Sequence, residues 1–454
     1  MTATSEARTL PGAWPLVGHF PAYSRDPLGF VTTSARTHGG VVPIRFGPSP
    51  ALLITDPAAI EEVLVTRHRD FQKGRAGQRV GVVVGDGILL SEGETWREHR
   101  RIVQPAFHHD RITSWAEVMV EETERRLATW GHGDIRDVHA DMSALTLAIV
   151  GRTLLDSQIG PADVEEVRAA TATLTDHFDS RFNSLRFFLP DALPTPGNRR
   201  MRDAVGRLDR IVYRLIANRR ATGERGDDAI SMLLEASEAD RHPLTDRELR
   251  DEVMTLLMAG HETTAVALTW CLYLVAGRPE IEAAMAAEAA VTLGGRRPTV
   301  ADLPHLRTAE AIVYETLRLY PPAYALSREA IVPTAVGGHP LPKRGIAFIS
   351  VWGAHRRPET FEEPDAFRPE RWLDGLSRRL PRGAYVPFAE GPRKCLGAGF
   401  AMQEMILALA TIASTWQLRP ADAVPVRARP AVTLRPADPV RVIVSRRARP
   451  ARVT

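Results

Sequence analysis

Residues 388–397 read Phe388-Ala389-Glu390-Gly391-Pro392-Arg393-Lys394-Cys395-Leu396-Gly397. Each fixed position has its own physical task. Gly391 permits a tight turn with positive φ. Cys395 is expected where the loop enters a helix beginning near Leu396, because the amide N–H groups and dipole of a helix start favour a thiolate. Gly397 lets the backbone lie close to a flat ligand, and Arg393 can reach a carboxylate on that ligand. Phe388 can pack under the sulfur and keep water away. A buried structural cysteine is the plain alternative for a lone Cys ahead of a helix. It does not account for the spacing Phe-x-x-Gly-x-Arg-x-Cys-x-Gly, which is complete here.

Upstream of this loop runs an irregular stretch, roughly 353–394, rich in Pro, Arg and Phe. So long a segment without regular structure tends to be functional. Downstream, apolar periodicity predicts a helix over about 396–415, and Ala431-Val-Thr-Leu434 and Val440-Arg-Val-Ile-Val444 are expected as terminal strands. Further upstream, helices are predicted over 57–66, 93–105, 113–130, 138–154, 161–178, 199–221, 245–277, 279–291 and 308–319. Strands are predicted at 41–47 and 51–55, joined by a Gly47-Pro48-Ser49-Pro50 turn, and at 345–351. The fold class is therefore mainly α with a smaller β-rich part. Neither an internal repeat nor a long linker divides the chain, so 1–454 is expected as one domain, with ragged tails at 1–9 and 447–454.

Bulk composition narrows the function. The 454 residues are 44% hydrophobic, ample for a large core. With 58 basic against 55 acidic residues, bulk charge gives no reason to expect nucleic-acid binding. The lysines are only Lys73, Lys343 and Lys394; arginine supplies the other cations. Cys271 and Cys395 are the two cysteines, and a disulfide between them is not expected in a chain that shows no secretion signal. Val253–Ala276 is long enough to span a bilayer. However, His261 and Glu262 lie at its middle, where a charge costs about 2.5–3.5 kcal/mol. A buried core helix is the better reading, so no transmembrane segment and a cytoplasmic location are expected.

Four further fragments carry chemistry. Glu315-Thr-Leu-Arg318 places an acid and a base on one helix face. Phe367-Arg-Pro-Glu-Arg371-Trp372 follows. Trp96-Arg-Glu-His-Arg100 puts Trp96 and Arg100 one turn apart. Ala259-Gly260-His261-Glu262-Thr263-Thr264 interrupts the long apolar helix, and Gly260 there costs about 1 kcal/mol relative to alanine. Taken singly, the charged fragments could be surface ion pairs or solvated arginines. His261-Glu262 begins like a zinc-protease helix, but Ala265 removes the second ligand. Capping does not apply in mid-helix. Neither a Gly-x-Ser-x-Gly elbow nor a phosphate-cradling Gly-x-x-x-x-Gly-Lys is present, and Gly81-Val-Val-Val-Gly85-Asp-Gly87 fits no nucleotide motif.

Together, in this order, these fragments resemble the cytochrome P450 family, and the resemblance runs along most of the chain. Trp372 departs from the usual phenylalanine of its segment. The resemblance implies the P450 fold, with haem b between the long central helix and the cysteine loop. It implies Cys395 as the axial ligand of the iron, with Phe388 and Gly397 beside it. Trp96, Arg100, Arg393 and Arg328 would hold the propionates. Glu315, Arg318 and Arg371 would form a buried triad fixing the cysteine loop. Gly260 would leave room for dioxygen, Thr263 would hydrogen-bond it, and Glu262 would relay protons from solvent. The thiolate's electron density would favour O–O cleavage, and one oxygen atom would enter the substrate.

Electrons are expected from a ferredoxin and ferredoxin reductase, since no flavin or ferredoxin module is attached. Arg97 and Arg101, with Lys394, Arg382 and Arg378, are candidates for the docking patch, against scattered solvated arginines as the plain alternative. A peroxide-driven peroxygenase would use the same ligand but dispense with the Glu262-Thr263 pair, and a haem sensor would need no proton relay. Candidate pocket segments are 74–94, 176–196 and 322–327, largely apolar (Val82, Val83, Val84, Ile88, Leu89, Phe178, Phe182, Phe187, Phe188, Leu326). They suggest a hydrophobic substrate, with the resemblance leaning toward the cyclic terpenoids of bacterial secondary metabolism and a fatty acid or macrolide as alternatives.

Overall fold

The computed structural model describes residues 10–155, 160–182, 184, 193–223, 226, 228–239 and 243–447. Phe187, Phe188 and the side chain of Phe182 lie outside the described residues, as do 1–9 and 448–454. Arg447 is not part of a ragged tail: its Nε donates to Ala413 O at 2.9 Å and it pairs with Glu282.

Helices dominate. Those that position the site are α1 (Gly93–Val103), α2 (Val138–Leu154), α3 (Pro161–Phe182), α4 (Pro196–Thr222), α5 (Asp246–Ala276), α6 (Arg307–Leu319) and α7 (Ala398–Thr415). α5 starts at a capping box: Thr245 Oγ1 accepts from the Glu248 N–H at 3.3 Å, and Glu248 Oε2 accepts from the Thr245 N–H at 2.8 Å. It stops where Gly277 and Pro279 cannot continue it. Its buried residues run almost without break from Leu249 to Ala276, so the expected core helix is what forms. By length and composition α7 could cross a membrane, yet 67% of it is buried inside the protein, as a core helix is.

Several boundaries differ from expectation for local reasons. α1 ends at Val103 because Pro105 turns the chain into a 3₁₀ segment, Gln104–Phe107. The helix expected over 113–130 is two, His109–Ser114 and Ala116–Leu127. The one expected over 57–66 changes to a π turn at Glu62–Thr66.

The main sheet contains β1 (Val41–Phe46), β2 (Ser49–Ile54), β3 (Phe71–Lys73), β4 (Ala325–Ala330) and β5 (Ile346–Ser350), in the order β1-β2-β5-β4-β3. β2 and β5 run parallel; the other neighbours are antiparallel. The register sets Lys73 opposite Arg328. A hairpin of β6 (Ala428–Pro430) and β7 (Leu434–Pro436) follows α7. Ala431–Thr433, expected as strand, is the turn of that hairpin. Trp416–Pro420, Arg441–Arg446 and Ile135–Asp137 make a separate three-stranded sheet. α5 crosses the centre of the largest apolar core, packed along α2 and against α6 and α7. Trp270 marks the seam, stacked on Tyr320 with centroids 4.0 Å apart and donating from Nε1 to Leu434 O at 2.8 Å.

Candidate active site

The cysteine loop is held from both ends. Gly391 has φ +73°, and a Cβ there would collide with the Leu64 carbonyl, so the turn requires glycine. The Cys395 N–H donates to Phe388 O at 3.0 Å, closing the loop. Phe388 packs half-buried against the core. α7 begins at Ala398, three residues beyond Cys395 rather than next to it, so the expected helix-start stabilisation is weakened. Burial pushes the Cys395 thiol up, against the Gly397 N–H and the charges of Arg100, Lys394 and Lys73. Yet Cys395 is exposed by area, while Cys271 is fully buried. Open area together with strong desolvation describes a group on the wall of a recess. A metal ion deprotonates a coordinating thiol outright, which the protein charges alone do not do here. At Gly397 a Cβ would make only ordinary contacts, 3.7 Å to Phe107 Cε1 and 4.0 Å to Cys395 Sγ, so protein packing does not require the glycine.

Behind the loop lies a closed ionic knot. Glu315 and Arg318 are both fully buried and paired through two bonds of 2.8 Å. Arg371 Nε reaches Glu315 Oε1 at 3.1 Å, and the Trp372 indole N–H donates to Oε2 at 2.8 Å. Trp372 thus supplies a bond that the family's phenylalanine lacks. Arg318 also donates to the carbonyls of His355, Pro364 and Ala366 at 2.9, 2.6 and 2.9 Å. His355 extends the knot to the loop: its Nδ1 bonds Arg318 O at 3.2 Å and its Nε2 accepts from the Val386 N–H at 2.8 Å. Burial, then the neighbouring Arg318 charge, push its imidazole down to about 3. Sequence reading found the triad but not His355, which belongs to no motif.

On the other side cations gather. Arg100 Nη1 donates to Lys394 O at 3.0 Å, tying α1 to the residue before Cys395. The Arg393 guanidinium lies 4.5 Å from the Trp96 ring centroid and that of Arg100 5.9 Å. Arg393 Nη2 bonds Ser91 O at 2.8 Å and Glu92; its Nη1 is buried without a partner. Arg328 is buried, and burial, then Arg393, push it down to about 10. Lys73 and Glu92, which sequence reading passed over, belong here too. Trp96, Arg100, Arg393, Arg328 and Cys395 are thus brought to one region. Free cation donors and an orphaned guanidinium nitrogen facing a recess fit a flat group that carries carboxylates.

The third component is the middle of α5. There the otherwise buried helix opens only at Met258, Ala259, Gly260 and Thr263. Thr263 Oγ1 donates to Ala259 O at 2.6 Å, and the residue is half-buried at this opening. At Gly260 a Cβ would meet Val150 Cγ2 at 3.1 Å and Leu154 Cδ1 at 3.7 Å, so the missing side chain lets α2 pack closely at this turn. Glu262 is buried and not open to solvent; Arg435 of β7 approaches Oε1 at 2.5 and 2.6 Å, and Thr433 Oγ1 at 3.3 Å. His261 is buried against Ser143 Oγ at 2.9 Å, its imidazole pushed down to about 4 by burial. α5 is tied to α1 by a 2.7 Å bond between Glu252 Oε1 and His99 Nδ1.

Of the expected pocket residues, Val83, Val84 and Phe178 are buried core, while Val82 and Leu89 are exposed. A cavity of about 800 Å³ lies between α3 and α4, lined by Asp176, His177, Arg181 and Asn198 among others, and includes no residue of α5 or the cysteine loop. Among the described residues no group of three or more His, Cys, Asp or Glu is placed to hold a metal.

A lone cysteine on a cation-lined recess, braced by a buried ionic knot and served by a long helix opened at one polar turn, defines a haem-thiolate protein. The sequence model of the family described as Cytochrome P450 matches residues 9–444, and the chain belongs to that family; it is a haem b monooxygenase. It is 38% identical to a cyclooctatin synthase of Streptomyces melanosporofaciens over 95% of this chain and 94% of the relative. It is 37% identical to a cyclooctat-9-en-7-ol 5-monooxygenase of the same organism, covering 91% and 89%. Identity to a pentalenene oxygenase of Streptomyces avermitilis is 34%, covering 91% and 92%.

Proposed function

We propose that this P450 hydroxylates or epoxidises a cyclic terpenoid, with Cys395 as the iron ligand and electrons from a ferredoxin and its reductase. The ligand assignment is carried by one observation: Cys395 alone of the two cysteines combines open area with a surrounding set of cations. Haem b, when bound, supplies the activation of dioxygen. This chain's residues do the rest. Trp96, Arg100, Arg393 and Arg328 hold the carboxylates, and Phe388 shields the sulfur. Gly397, unexplained by protein packing, leaves the flank of the sulfur clear. Thr263 presents an oxygen at the open turn of α5, where it can accept and pass on a proton. Glu262, buried and held by Arg435, is the acid placed next to Thr263 to resupply it. Retention of this acid–alcohol pair favours reductive oxygen activation over peroxide use. The terpenoid substrate is supported by the names of the three relatives.

Reduced protein treated with carbon monoxide is expected to give the far-red Soret band of a thiolate-ligated haem, and Cys395→Ser to lose it. A band at the ordinary position in the unaltered protein overturns the ligand assignment. Turnover with NAD(P)H, ferredoxin and reductase on a panel of cyclic terpenes, against hydrogen peroxide alone, tests the rest; product from peroxide only would reverse the electron-source reading.

A further inference from the structure

The β6–β7 hairpin sets Arg429 directly opposite Arg435 on one rung. Opposed residues of an antiparallel pair share a face of the sheet, and like charges there repel. Each guanidinium answers to a carboxylate on a different helix. Arg429 pairs with Asp179 near the end of α3, a buried acid whose desolvated charge calls for a cation. Arg435 pairs with Glu262 in the middle of α5. The hairpin between these helices is not slack. Its tip is pinned by Tyr324 Oη, which donates to Ala431 O at 3.0 Å, by the Leu434 N–H, which donates to Pro322 O at 3.0 Å, and by the Trp270 indole.

The two ends of this bridge meet different parts of the site. At Glu262 every bond from the hairpin falls on one oxygen: Arg435 and Thr433 Oγ1 reach Oε1, and among the described residues Oε2 has no partner. Oε2 is the oxygen left to carry a proton for Thr263. At the other end, the turn of α3 that carries Asp179 also lines the cavity of about 800 Å³, through Asp176, His177 and Ser180. A molecule entering between α3 and α4 bears on that turn.

We infer that the Arg429–Arg435 rung is a positioning device that couples the seating of α3 to the placement of the Glu262 carboxylate. This rests on the acid–alcohol reading above and adds its regulation. With α3 seated, Asp179 balances Arg429, and Arg435 is free to fix Oε1 and so to orient Oε2. With α3 displaced, Arg429 loses that partner, the two guanidinium groups repel across the rung, and the hold on Glu262 loosens. Proton supply to Thr263 then follows the state of the cavity.

The test is the infrared C–O stretching band of the reduced holoenzyme under carbon monoxide, which reads the polar groups beside the gas molecule and needs no substrate. Glu262→Gln fixes where the band lies when the acid is lost. Arg435→Gln is expected to split or move the band toward that position, and Arg435→Lys, which keeps the charge, to restore it. Arg429→Gln and Asp179→Asn, which alter residues that do not pair with Glu262, are expected to add a second band where Arg435→Gln has it. Arg429 is exposed, so its variant keeps the test open should Arg435→Gln not fold. An unchanged band in Arg435→Gln would overturn the placement of the acid by Arg435. A changed band there, with Arg429→Gln and Asp179→Asn both as in the unaltered protein, would overturn the coupling. A band that Glu262→Gln itself leaves unmoved defeats instead the acid–alcohol reading, and a Soret band at the ordinary position on the same samples defeats the haem-thiolate reading.

Discussion

The knot around Glu315 is a buried cluster of charge and the recess around Arg393 a half-buried one, built from similar residues. They differ in closure. In the knot, one carboxylate meets Arg318, Arg371 and Trp372, and the donors Arg318 has left reach three carbonyls. In the recess, Lys73, Arg328 and Arg393 gather about the carboxylate of Glu92, Arg100 lies beside Arg393, and among the described residues Arg393 Nη1 has no partner. A closed cluster is a structural device, because every desolvated charge has its counterpart inside the protein. An open one states the charge of what it receives. The contrast separates residues that hold the cysteine loop from residues that hold its ligand.

Breaking the closed cluster should have the largest effect. Glu315→Gln leaves Arg318 and Arg371 buried without a counter-charge, and removing one partner of a buried pair costs about 3–5 kcal/mol. Denaturant unfolding followed by far-UV circular dichroism should show that loss, and the carbon monoxide band should convert to the non-thiolate position as the loop loosens. Stability within about 1 kcal/mol of the unaltered protein would mean that the knot behaves as a surface pair and that the contrast is misdrawn.

The knot also predicts an acid limit. His355 must stay neutral to accept from Val386, and the folded protein holds it down to about 3 against an ordinary 6.5. The unfolded chain takes up a proton near 6.5, so stability is full above that pH and declines as pH falls toward 3. At pH 5 the loss from this residue is about 2 kcal/mol, from 1.4 kcal/mol per unit over about 1.5 units. His355→Gln, whose amide oxygen can take the Val386 N–H, should flatten the decline between pH 6 and 4. His261, pushed down to about 4, leaves a remainder. An unchanged slope in the Gln variant would remove His355 from the account.

A smaller change sharpens the same picture. Trp372→Phe restores the family's usual residue and deletes one bond to the Glu315 carboxylate. Hydrogen bonds to charged groups contribute about 1.5–3 kcal/mol, and Glu315 keeps Arg318 and Arg371, so the lower end is expected in the same unfolding measurement. No loss at all would mean that the indole is there for its stacking on Tyr314, whose ring centroid is 5.2 Å away.

What the sequence disclosed follows the same division. The closed knot was legible because its acid and first base sit three residues apart on one helix, and Arg371 lies in a recognisable segment. Cys395, Gly391, Phe388 and the Trp96–Arg100 turn were legible for the same reason, spacing along one element. Lys73 was not, because its meaning comes from pairing with a strand some 250 residues away. Arg435, on a strand near the end of the chain, was missed for the same cause and changed the reading of Glu262. Gly260 carries a contact that the motif alone does not show, the close approach of Val150 of α2. A lysine among so many arginines was the one compositional hint left unused.

The outer face supplies a third kind of charge, solvated and weakly paired, where the expected effect on stability is least. Arg97 pairs with Glu94 on the exposed side of α1, and Arg382 with Glu61 at 3.6 Å, both with substantial access to water. Pairs of this sort contribute little to folding, yet they shape the local field at the face where the ferredoxin proposed above would dock. Arg97 and Arg101 lie on the helix that delivers Arg100 to Lys394, so a partner docked on them is close to the cysteine loop. The double variant Arg97→Glu, Arg101→Glu should therefore melt as the unaltered protein does while reduction by ferredoxin slows about tenfold at low salt, with the salt dependence flattened. Stopped-flow reduction across ionic strengths separates the outcomes. A slower rate with its salt dependence intact would place the docking site elsewhere. A lowered melting temperature would mean that these arginines belong with the closed charges and not with the open surface.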